Sequence, residues 1–205
     1  MGLIIGRILR AILWPVIRVV FPYRVIGKEN KPKRGDGRGY VLCCNHISLL
    51  DPAFILVSQP RPVSFMAKKE LFKNKIVGYG MSHWFGAFPV DRGAGDMSVI
   101  TKSADIVKNG GILGIFPEGT RSKTGKLGRF KSGATMIAAK ACADVIPVAL
   151  VTKEQKVKAF RKTTIVYGKS LTAEELQLTG ESPNLRYATR VLSETVASLM
   201  QEAKR

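Results

Sequence analysis

Two short segments of the chain carry residue types suited to chemistry on a hydroxyl group. Residues 45–51 place His46 five positions before Asp51, directly after an apolar run. Residues 116–122 place Glu118, a small-residue turn and Arg121 after a second apolar run. An imidazole beside a carboxylate can take a proton from a hydroxyl, and a guanidinium can hold an anion. The two segments together predict a general base next to an anion site.

The spacing of His46 and Asp51 restricts how they can meet. Residues five apart on one helix lie about 140° apart around its axis, so we expect His46 in a loop and Asp51 reaching back from the next turn. The aspartate would then fix the imidazole tautomer and leave the other ring nitrogen to accept a proton. A competing interpretation makes Asp51 a helix cap, as the N-cap before Pro52 or as part of a capping box with Ser48. The catalytic and capping roles are compatible. His83 lies among aromatic and apolar residues, and we expect it to be structural.

The second segment has the features of an anion-binding turn. Gly119 permits close approach of the backbone, and the planar fork of Arg121 suits a phosphate group. A solvated turn is the simpler interpretation. The basic residues downstream, with no acid among them, argue against it; they are Lys123, Lys126, Arg129 and Lys131.

The composition indicates one folded domain with an anionic partner. The chain has 205 residues, 45% of them hydrophobic, and 33 Lys and Arg against 15 Asp and Glu, a formal net charge of +18. The cations cluster at residues 28–38, 68–75, 121–131 and 153–162. The sequence has no zinc-ligand spacing, no aromatic RNA-binding pattern and no basic region leading into heptads, so we do not expect nucleic acid as the partner.

The cysteines predict a reducing environment. Cys43, Cys44 and Cys142 are an odd number with two adjacent, which is not a disulfide framework. We expect them to be small buried hydrophobes. An alternative makes Cys44 an acyl-accepting nucleophile with His46 as its base, because residues two apart on a strand face the same side.

Residues 3–21 form an apolar stretch interrupted by Arg7, Arg10 and Arg18. Arginine near the middle and Pro15 make spanning of a bilayer unfavourable. On a helix the three arginines fall within about 80° of one another, which is typical of a helix lying in the membrane interface. The alternative is a helix packed on the domain's own core. We therefore divide the chain into a membrane-associating segment, residues 1–27, and a folded domain, residues 28–205.

The pattern of apolar runs and turn residues predicts strands alternating with helices, hence an α/β sheet covered on both faces. Ser132 and Ser182 are the predicted caps of the last two helices, with Pro183 in the first position of the final one. The predicted strands are residues 40–44, 62–67, 87–90, 112–116, 145–151 and 163–167. The predicted helices are residues 52–58, 71–85, 96–108, 133–143 and 183–203.

Four ordered blocks of the chain resemble the glycerolipid acyltransferases, specifically the bacterial 1-acyl-sn-glycerol-3-phosphate acyltransferases. The blocks are residues 45–51, 86–92, 116–122 and 145–150. In the second block Pro89 stands where an aliphatic residue is usual. The resemblance implies a single α/β acyltransferase domain with a mixed sheet covered by helices, plus an N-terminal membrane-interfacial helical segment.

The resemblance also implies a reaction and a set of site residues. A fatty acyl group would move from an acyl thioester, either acyl-CoA or acyl-carrier protein, to the free sn-2 hydroxyl of lysophosphatidic acid, giving phosphatidic acid. No metal or other cofactor is implied. The catalytic pair would be His46 and Asp51. The substrate-binding residues would be Glu118, Gly119, Thr120, Arg121, Arg92 and, from an imperfect match around residues 68–71, Lys69.

The expected partners follow from this reaction. They are lysophosphatidic acid, acyl-carrier protein or acyl-CoA, and an anionic membrane surface, at the cytoplasmic face of a cell membrane in a bacterium. Two alternatives stay open. One is an acyltransferase acting on another lysophospholipid or a lyso-aminolipid, and the other is a non-catalytic module that binds anionic membranes.

Overall fold

The protein is described by a computed structural model that covers residues 14–15, 17–84, 86–90, 97–154 and 156–204. A seven-stranded sheet forms its centre, in the order β1-β7-β6-β2-β5-β3-β4. The strands are β1 (Tyr23–Ile26), β2 (Tyr40–Cys44), β3 (Ser64–Lys68), β4 (Ala87–Val90), β5 (Ile112–Ile115), β6 (Asp144–Thr152) and β7 (Thr163–Tyr167).

The sheet is mixed, and one edge of it gathers most of the loops of interest. Strands β2, β3, β4, β5 and β6 run in one direction, whereas β7 is antiparallel to β6 and β1 is parallel to β7. The segments that follow β2, β3, β4, β5 and β6 therefore leave the sheet at a common edge, which we call the carboxyl edge. The segments before β1 and β7 reach the same edge.

Apolar side chains cover both faces of the sheet, as the alternating sequence pattern predicts. The helices are α1 (Asp51–Ser58), α2 (Lys75–Trp84), α3 (Met97–Lys108), α4 (Gly133–Ala141) and α5 (Leu185–Glu202). One core layer joins Val41 and Cys43 of β2 to α3, α4 and α5. The other joins Leu42 and Cys44 to Phe54 of α1. Alternate residues of β2 thus face opposite layers, because side chains of a strand alternate in direction.

Helix ends differ from their predictions where several polar residues compete for the cap. The helix predicted at residues 71–85 is a 3-10 turn, Lys69–Phe72, followed by α2. Ser132 occupies the N-cap position of α4 as predicted, but its side chain makes no cap hydrogen bond. The predicted cap Ser182 is wrong, since Asn184 caps α5 by accepting a hydrogen bond from the Tyr187 backbone N–H.

Residues 14–15 and 17–22 pack beside the domain at the carboxyl edge. The Arg18 guanidinium lies over the rings of Tyr23 and Trp14, with 5.2 Å and 5.8 Å to the ring centroids. Strand β1 lies within the predicted N-terminal segment, residues 1–27, so the sheet starts before the predicted boundary because this short strand pairs with β7. Most of the predicted interfacial helix, including Arg7 and Arg10, lies outside the described residues. Among those residues, no helix is both long enough and apolar enough to cross a bilayer.

Candidate active site

The loop between β2 and α1 brings His46 and Asp51 together. His46 Nδ1 lies 2.7 Å from Asp51 Oδ2. The side chain of Asp51 is fully buried, and that of His46 is 14% exposed. The predicted geometry is confirmed, with His46 in the loop and Asp51 reaching back to it. With the Nδ1 hydrogen facing the carboxylate, Nε2 carries the lone pair that can accept a proton.

Asp51 also fixes the loop that leads into α1. Its Oδ2 atom also accepts hydrogen bonds from the backbone N–H groups of Ile47 and Ser48, both at 2.7 Å. These donors precede Asp51, whereas a cap would accept from N–H groups inside the first turn of its helix. Asp51 is itself the first residue of α1, and Leu50 occupies the cap position without a side-chain bond. Asp51 is therefore not the N-cap before Pro52, but its bond to the Ser48 backbone N–H is the one that a capping box with Ser48 predicts.

Aromatic packing fixes the plane of the His46 ring. The Phe116 ring stacks on it at 4.2 Å between centroids and 21° between planes. Phe65 of β3 stacks in turn on Phe116, at 5.9 Å and 11°. Phe116 belongs to a predicted site segment, yet its apolar type gave it no expected role beyond ending a strand. Its contribution is to cover one face of the imidazole and limit ring rotation.

Glu118 joins the two site loops through its carboxylate. Oε1 accepts a 2.8 Å hydrogen bond from the His46 backbone N–H, and Oε2 accepts one of the same length from the Gly128 backbone N–H. The residue is 9% exposed. The sequence predicts Glu118 as a substrate contact. In the structure each of its carboxylate oxygens already accepts a hydrogen bond from a backbone N–H group. Its position suits a residue that holds the His46 loop against residues 116–131.

Two more hydrogen-bond links fix the same loop. The Ser122 backbone N–H donates to His46 O at 2.8 Å. The buried Asn45 side chain bonds to both backbone groups of Leu150, donating to O at 3.0 Å and accepting from N at 2.7 Å. Asn45 thereby extends the pairing of β2 with β6 by one residue. An asparagine amide carries both a donor and an acceptor, so it can make both of these hydrogen bonds.

A basic pocket of about 980 Å³ lies beside the second loop. Among the predicted site residues, Glu118 and Thr120 line it, whereas Arg121 does not. Its cationic lining residues pair with no carboxylate of the described residues and are Lys126, Arg129, Lys131 and Arg186. Gly119 has a positive φ of 75°, and a Cβ placed there would lie 3.2 Å from Lys131 Nζ. Lys131 therefore sits against the turn that carries Thr120 and the exposed Arg121.

The two remaining predicted site residues belong to neighbouring strands. Lys69 follows β3 at the carboxyl edge and is exposed, in the 3-10 turn and away from the lining of the basic pocket. Arg92 follows β4 and lies outside the described residues. The described structure therefore brings together His46, Asp51 and Glu118.

The alternative in which Cys44 acts as the nucleophile is contradicted by burial. Cys44 is 2% exposed inside the sheet. Desolvation raises the pKa of its thiol well above the usual value, and the nearby carboxyl of Asp51 adds to the shift. A thiol in that state does not supply the thiolate that nucleophilic attack requires. Cys43 is buried in the same strand, and desolvation raises its pKa to about 12.

Comparison with known proteins agrees with this arrangement. The family model described as Acyltransferase matches residues 22–151, which includes β1 and both site loops. The chain belongs to the acyltransferase family.

Relatives within this acyltransferase family share names that specify a lipid acceptor. A 1-acyl-sn-glycerol-3-phosphate acyltransferase of Bacillus subtilis is 32% identical over 179 residues, which are 86% of this chain and 87% of that protein. A chloroplastic protein of the same name from Brassica napus is 36% identical over 143 residues, 68% of this chain. The matched part is only 40% of that plant protein's length.

A solved structure shares the fold of this acyltransferase. It is the 1-acyl-sn-glycerophosphate acyltransferase of Thermotoga maritima, with a TM-score of 0.64 and 26% sequence identity. The match covers 86% of this chain and 72% of that one. The likeness confirms a single α/β domain built on a mixed sheet.

Proposed function

We propose that this acyltransferase moves a fatty acyl group from a thioester to the sn-2 hydroxyl of lysophosphatidic acid, giving phosphatidic acid. The observation that carries the proposal is the 2.7 Å contact between His46 Nδ1 and Asp51 Oδ2, in a loop held by Glu118. The names of the Bacillus and Thermotoga relatives support this choice of acceptor.

In the proposed reaction the acceptor hydroxyl is itself the nucleophile. His46 Nε2 takes the hydroxyl proton while the oxygen attacks the thioester carbonyl, and Asp51 stabilises the imidazolium that forms. The tetrahedral intermediate then collapses, the carbon–sulfur bond breaks, and the imidazolium returns the proton to the leaving thiolate. The new ester bond is formed without a metal ion or another cofactor.

The acceptor phosphate is proposed to bind beside the Gly119 turn. Arg121 offers a bidentate fork, and Lys131 lies against the same turn. The basic pocket supports this placement, because several of its cations pair with no carboxylate among the residues that the structure describes, which favours an anionic ligand. Lys69 and Arg92 are further proposed contacts. The acyl donor, acyl-CoA or acyl-carrier protein, is anionic in both forms and suits the net charge of +18.

The proposed place of action is the cytoplasmic face of a cell membrane, since acceptor and product are both lipids. A lysophospholipid with another headgroup is an alternative acceptor. A panel of lysophospholipids against both donors would separate these substrates, with lysophosphatidic acid expected to give the highest kcat/KM.

The test of the proposed function is product formation by the full chain. His46→Ala should lower kcat by about 10²–10⁴-fold, because a general base contributes that much. Asp51→Asn should also lose most activity through the imidazole tautomer. Circular dichroism should show that His46→Ala is folded, because Asp51 keeps its hydrogen bonds to the backbone N–H groups of Ile47 and Ser48. Loss of the ring that stacks on Phe116 should nevertheless lower thermal stability. A folded His46→Ala protein with wild-type turnover would contradict the mechanism.

A further inference from the structure

The segment between β6 and β7 is a basic loop to which the proposed reaction gives no task. Residues 153–154, 156 and 158–162 are exposed. Glu154 is the only acid in residues 153–162, and it pairs with Lys158 and Arg161. Lys153, Lys156 and Lys162 pair with no carboxylate in the described parts of the chain. The loop therefore presents excess positive charge to solvent.

Phe160, three residues before β7, is exposed in an unusual backbone conformation. Its side chain is 72% exposed, and its φ is 60°. The Arg161 backbone N–H donates to Lys158 O at 3.3 Å, which makes Phe160 the third residue of a turn, where a positive φ favours glycine. A bulky aromatic residue in the left-handed region is rare and points to a functional constraint.

The loop is anchored to the N-terminal segment and to the core. The Phe160 backbone N–H donates to Val20 O at 2.6 Å, and Val157 packs against the core layer of β2 and α1. Val19, next to Val20, is 68% exposed. These two contacts anchor the loop, so the exposure of Phe160 does not come from a loop without contacts to the rest of the domain.

A third exposed apolar side chain belongs to the catalytic loop. Leu49 lies between His46 and Asp51 and is 74% exposed. Its neighbour Leu50 shares a small apolar cavity with Ile17 and Phe21 of the N-terminal segment. Leu49, Phe160 and Val19 are the three most exposed large apolar side chains in the described part of the chain.

All three side chains lie at the carboxyl edge of the sheet. Leu49 follows β2, Phe160 follows β6, which is parallel to β2, and Val19 precedes β1, which starts at that edge. Isolated exposed apolar residues need no explanation, but three at the edge that carries His46, together with the exposed lysines of the β6–β7 loop, resemble an interfacial surface.

We propose that Val19, Leu49 and Phe160, together with Lys153, Lys156 and Lys162, form a docking surface for an anionic lipid bilayer. We call it the Phe160 surface. The three apolar side chains enter the acyl-chain boundary, and the three lysines meet anionic headgroups. This surface would bring the His46 loop to the bilayer from which a lipid acceptor enters. This inference rests on the proposed function, because the lipid acceptor is the reason for choosing a bilayer as the partner.

Vesicle binding of the full chain tests the two components separately. Phe160→Ser should weaken binding to phosphatidylcholine–phosphatidylglycerol vesicles about tenfold, because burial of the aromatic ring is lost. Replacing Lys153, Lys156 and Lys162 by Gln should weaken it at least about tenfold at low salt, and less at high salt, because the attraction is screened. Binding within twofold of wild type in both variants would overturn the proposal.

Matched controls come from the opposite edge of the sheet. Lys28, Lys33 and Arg34 are exposed cations in the segment after β1, and their triple replacement by Gln changes the net charge by the same amount. Ile26→Ser, at the end of β1, is the apolar control for Phe160→Ser. Both controls should bind vesicles like wild type. If the cation control loses as much binding as the loop variant, the effect is one of total charge and the Phe160 surface is refuted.

Spin labelling locates the surface independently of affinity. A nitroxide on Phe160→Cys, in a Cys142→Ser background, should become more accessible to oxygen and less accessible to a water-soluble nickel chelate when vesicles are added. The control label on native Cys142, exposed at the end of α4 near the start of β6, should stay accessible to the chelate. Unchanged accessibility at position 160 in vesicle-bound protein would overturn the proposal.

An assay on a water-soluble, short-chain lysophosphatidic acid separates this inference from the proposed function. The Phe160 and lysine variants should keep wild-type kcat/KM on that acceptor and lose rate only on acceptor in vesicles. A wild-type protein that binds vesicles through this surface but has no transferase activity would contradict the proposed function alone.

Discussion

Glu118 holds the catalytic loop through two hydrogen bonds from backbone N–H groups to its carboxylate. The spacing of His46 and Asp51 predicts their own contact, because both residues lie in one short loop, but no such spacing points to Glu118. Its partners, the backbone N–H groups of His46 and Gly128, are 72 and 10 residues away along the chain. A carboxylate in a turn is usually a surface group, so only the folded arrangement identifies it as a positioning residue.

Glu118→Gln distinguishes a positioning residue from a substrate contact. The amide keeps one acceptor and turns an NH₂ group toward a backbone N–H, which should cost about 1–3 kcal/mol of unfolding free energy. The His46 loop loses a restraint, so kcat should fall while KM for the acceptor changes little. Steady-state kinetics and urea unfolding measure both effects, with Glu194→Gln on the exposed face of α5 as the control. A raised acceptor KM with normal kcat would assign Glu118 to substrate binding instead.

Gly128 offers a second test of the same hydrogen bond from its other end. A Cβ at this position would lie 2.6 Å from Glu118 Oε2, closer than an ordinary contact allows. Gly128→Ala should therefore lower kcat in the same manner as Glu118→Gln. A Cβ at Gly133, the first residue of α4, would meet nothing within 4 Å, so Gly133→Ala should keep wild-type kinetics. Equal kinetics in the two variants would contradict the role of the Glu118 link.

At the scale of elements, apolar periodicity located the strands and helices better than it located their ends. The strands β2, β4 and β7 coincide with their predicted ranges. Helix caps were harder, because serine, asparagine and proline lie within a few residues of each other before α5. Which of them caps depends on backbone angles set by packing. Asn184 is the cap because its Oδ1 accepts a hydrogen bond from the Tyr187 backbone N–H at 3.1 Å.

The two caps predict contrasting effects on stability. Asn184→Ala removes the hydrogen bond to Tyr187 and should lower the free energy of unfolding by about 1 kcal/mol, the usual value for a cap. Ser132→Ala removes a hydroxyl that makes no cap bond and should change it by no more than about 0.5 kcal/mol. Urea unfolding of both variants measures the difference. A larger loss for Ser132→Ala than for Asn184→Ala would reverse this assignment of caps.

At the scale of the molecule, strand order was not accessible from the sequence. Strand β1 is four residues long and pairs with β7, 140 positions further on. No local pattern predicts so distant a partner, so the sequence alone assigns the residues of β1 to the N-terminal segment. The family resemblance gave the mixed sheet, whereas the order β1-β7-β6-β2-β5-β3-β4 came from the structure. The strand directions place the site loops and the Phe160 surface at one edge.

A cluster of Asp36, Arg38 and Tyr40 lies at the opposite edge of the sheet from the site and is sensitive to acid. It tests whether a change at that edge leaves catalysis unaffected. Asp36 accepts hydrogen bonds from Tyr40 Oη at 2.6 Å and Arg38 Nε at 3.0 Å. These contacts, with Arg38 first, lower the pKa of the Asp36 carboxyl from 3.8 to about 2. The pKa is depressed in the folded state, so the stabilisation is complete above pH 3.8 and is lost as the pH falls toward 2.

Asp36→Asn should therefore unfold more easily than wild type at neutral pH, and the two proteins should converge as the pH falls from about 4 to about 2. Both should lose stability over this range, because protonation of carboxylates adds to a net charge that is already +18. Urea unfolding at constant ionic strength isolates the difference between the proteins. Kinetics at neutral pH should stay unchanged, since Asp36 precedes β2 and His46 follows it. A difference in stability that grows on acidification would contradict the role of Asp36.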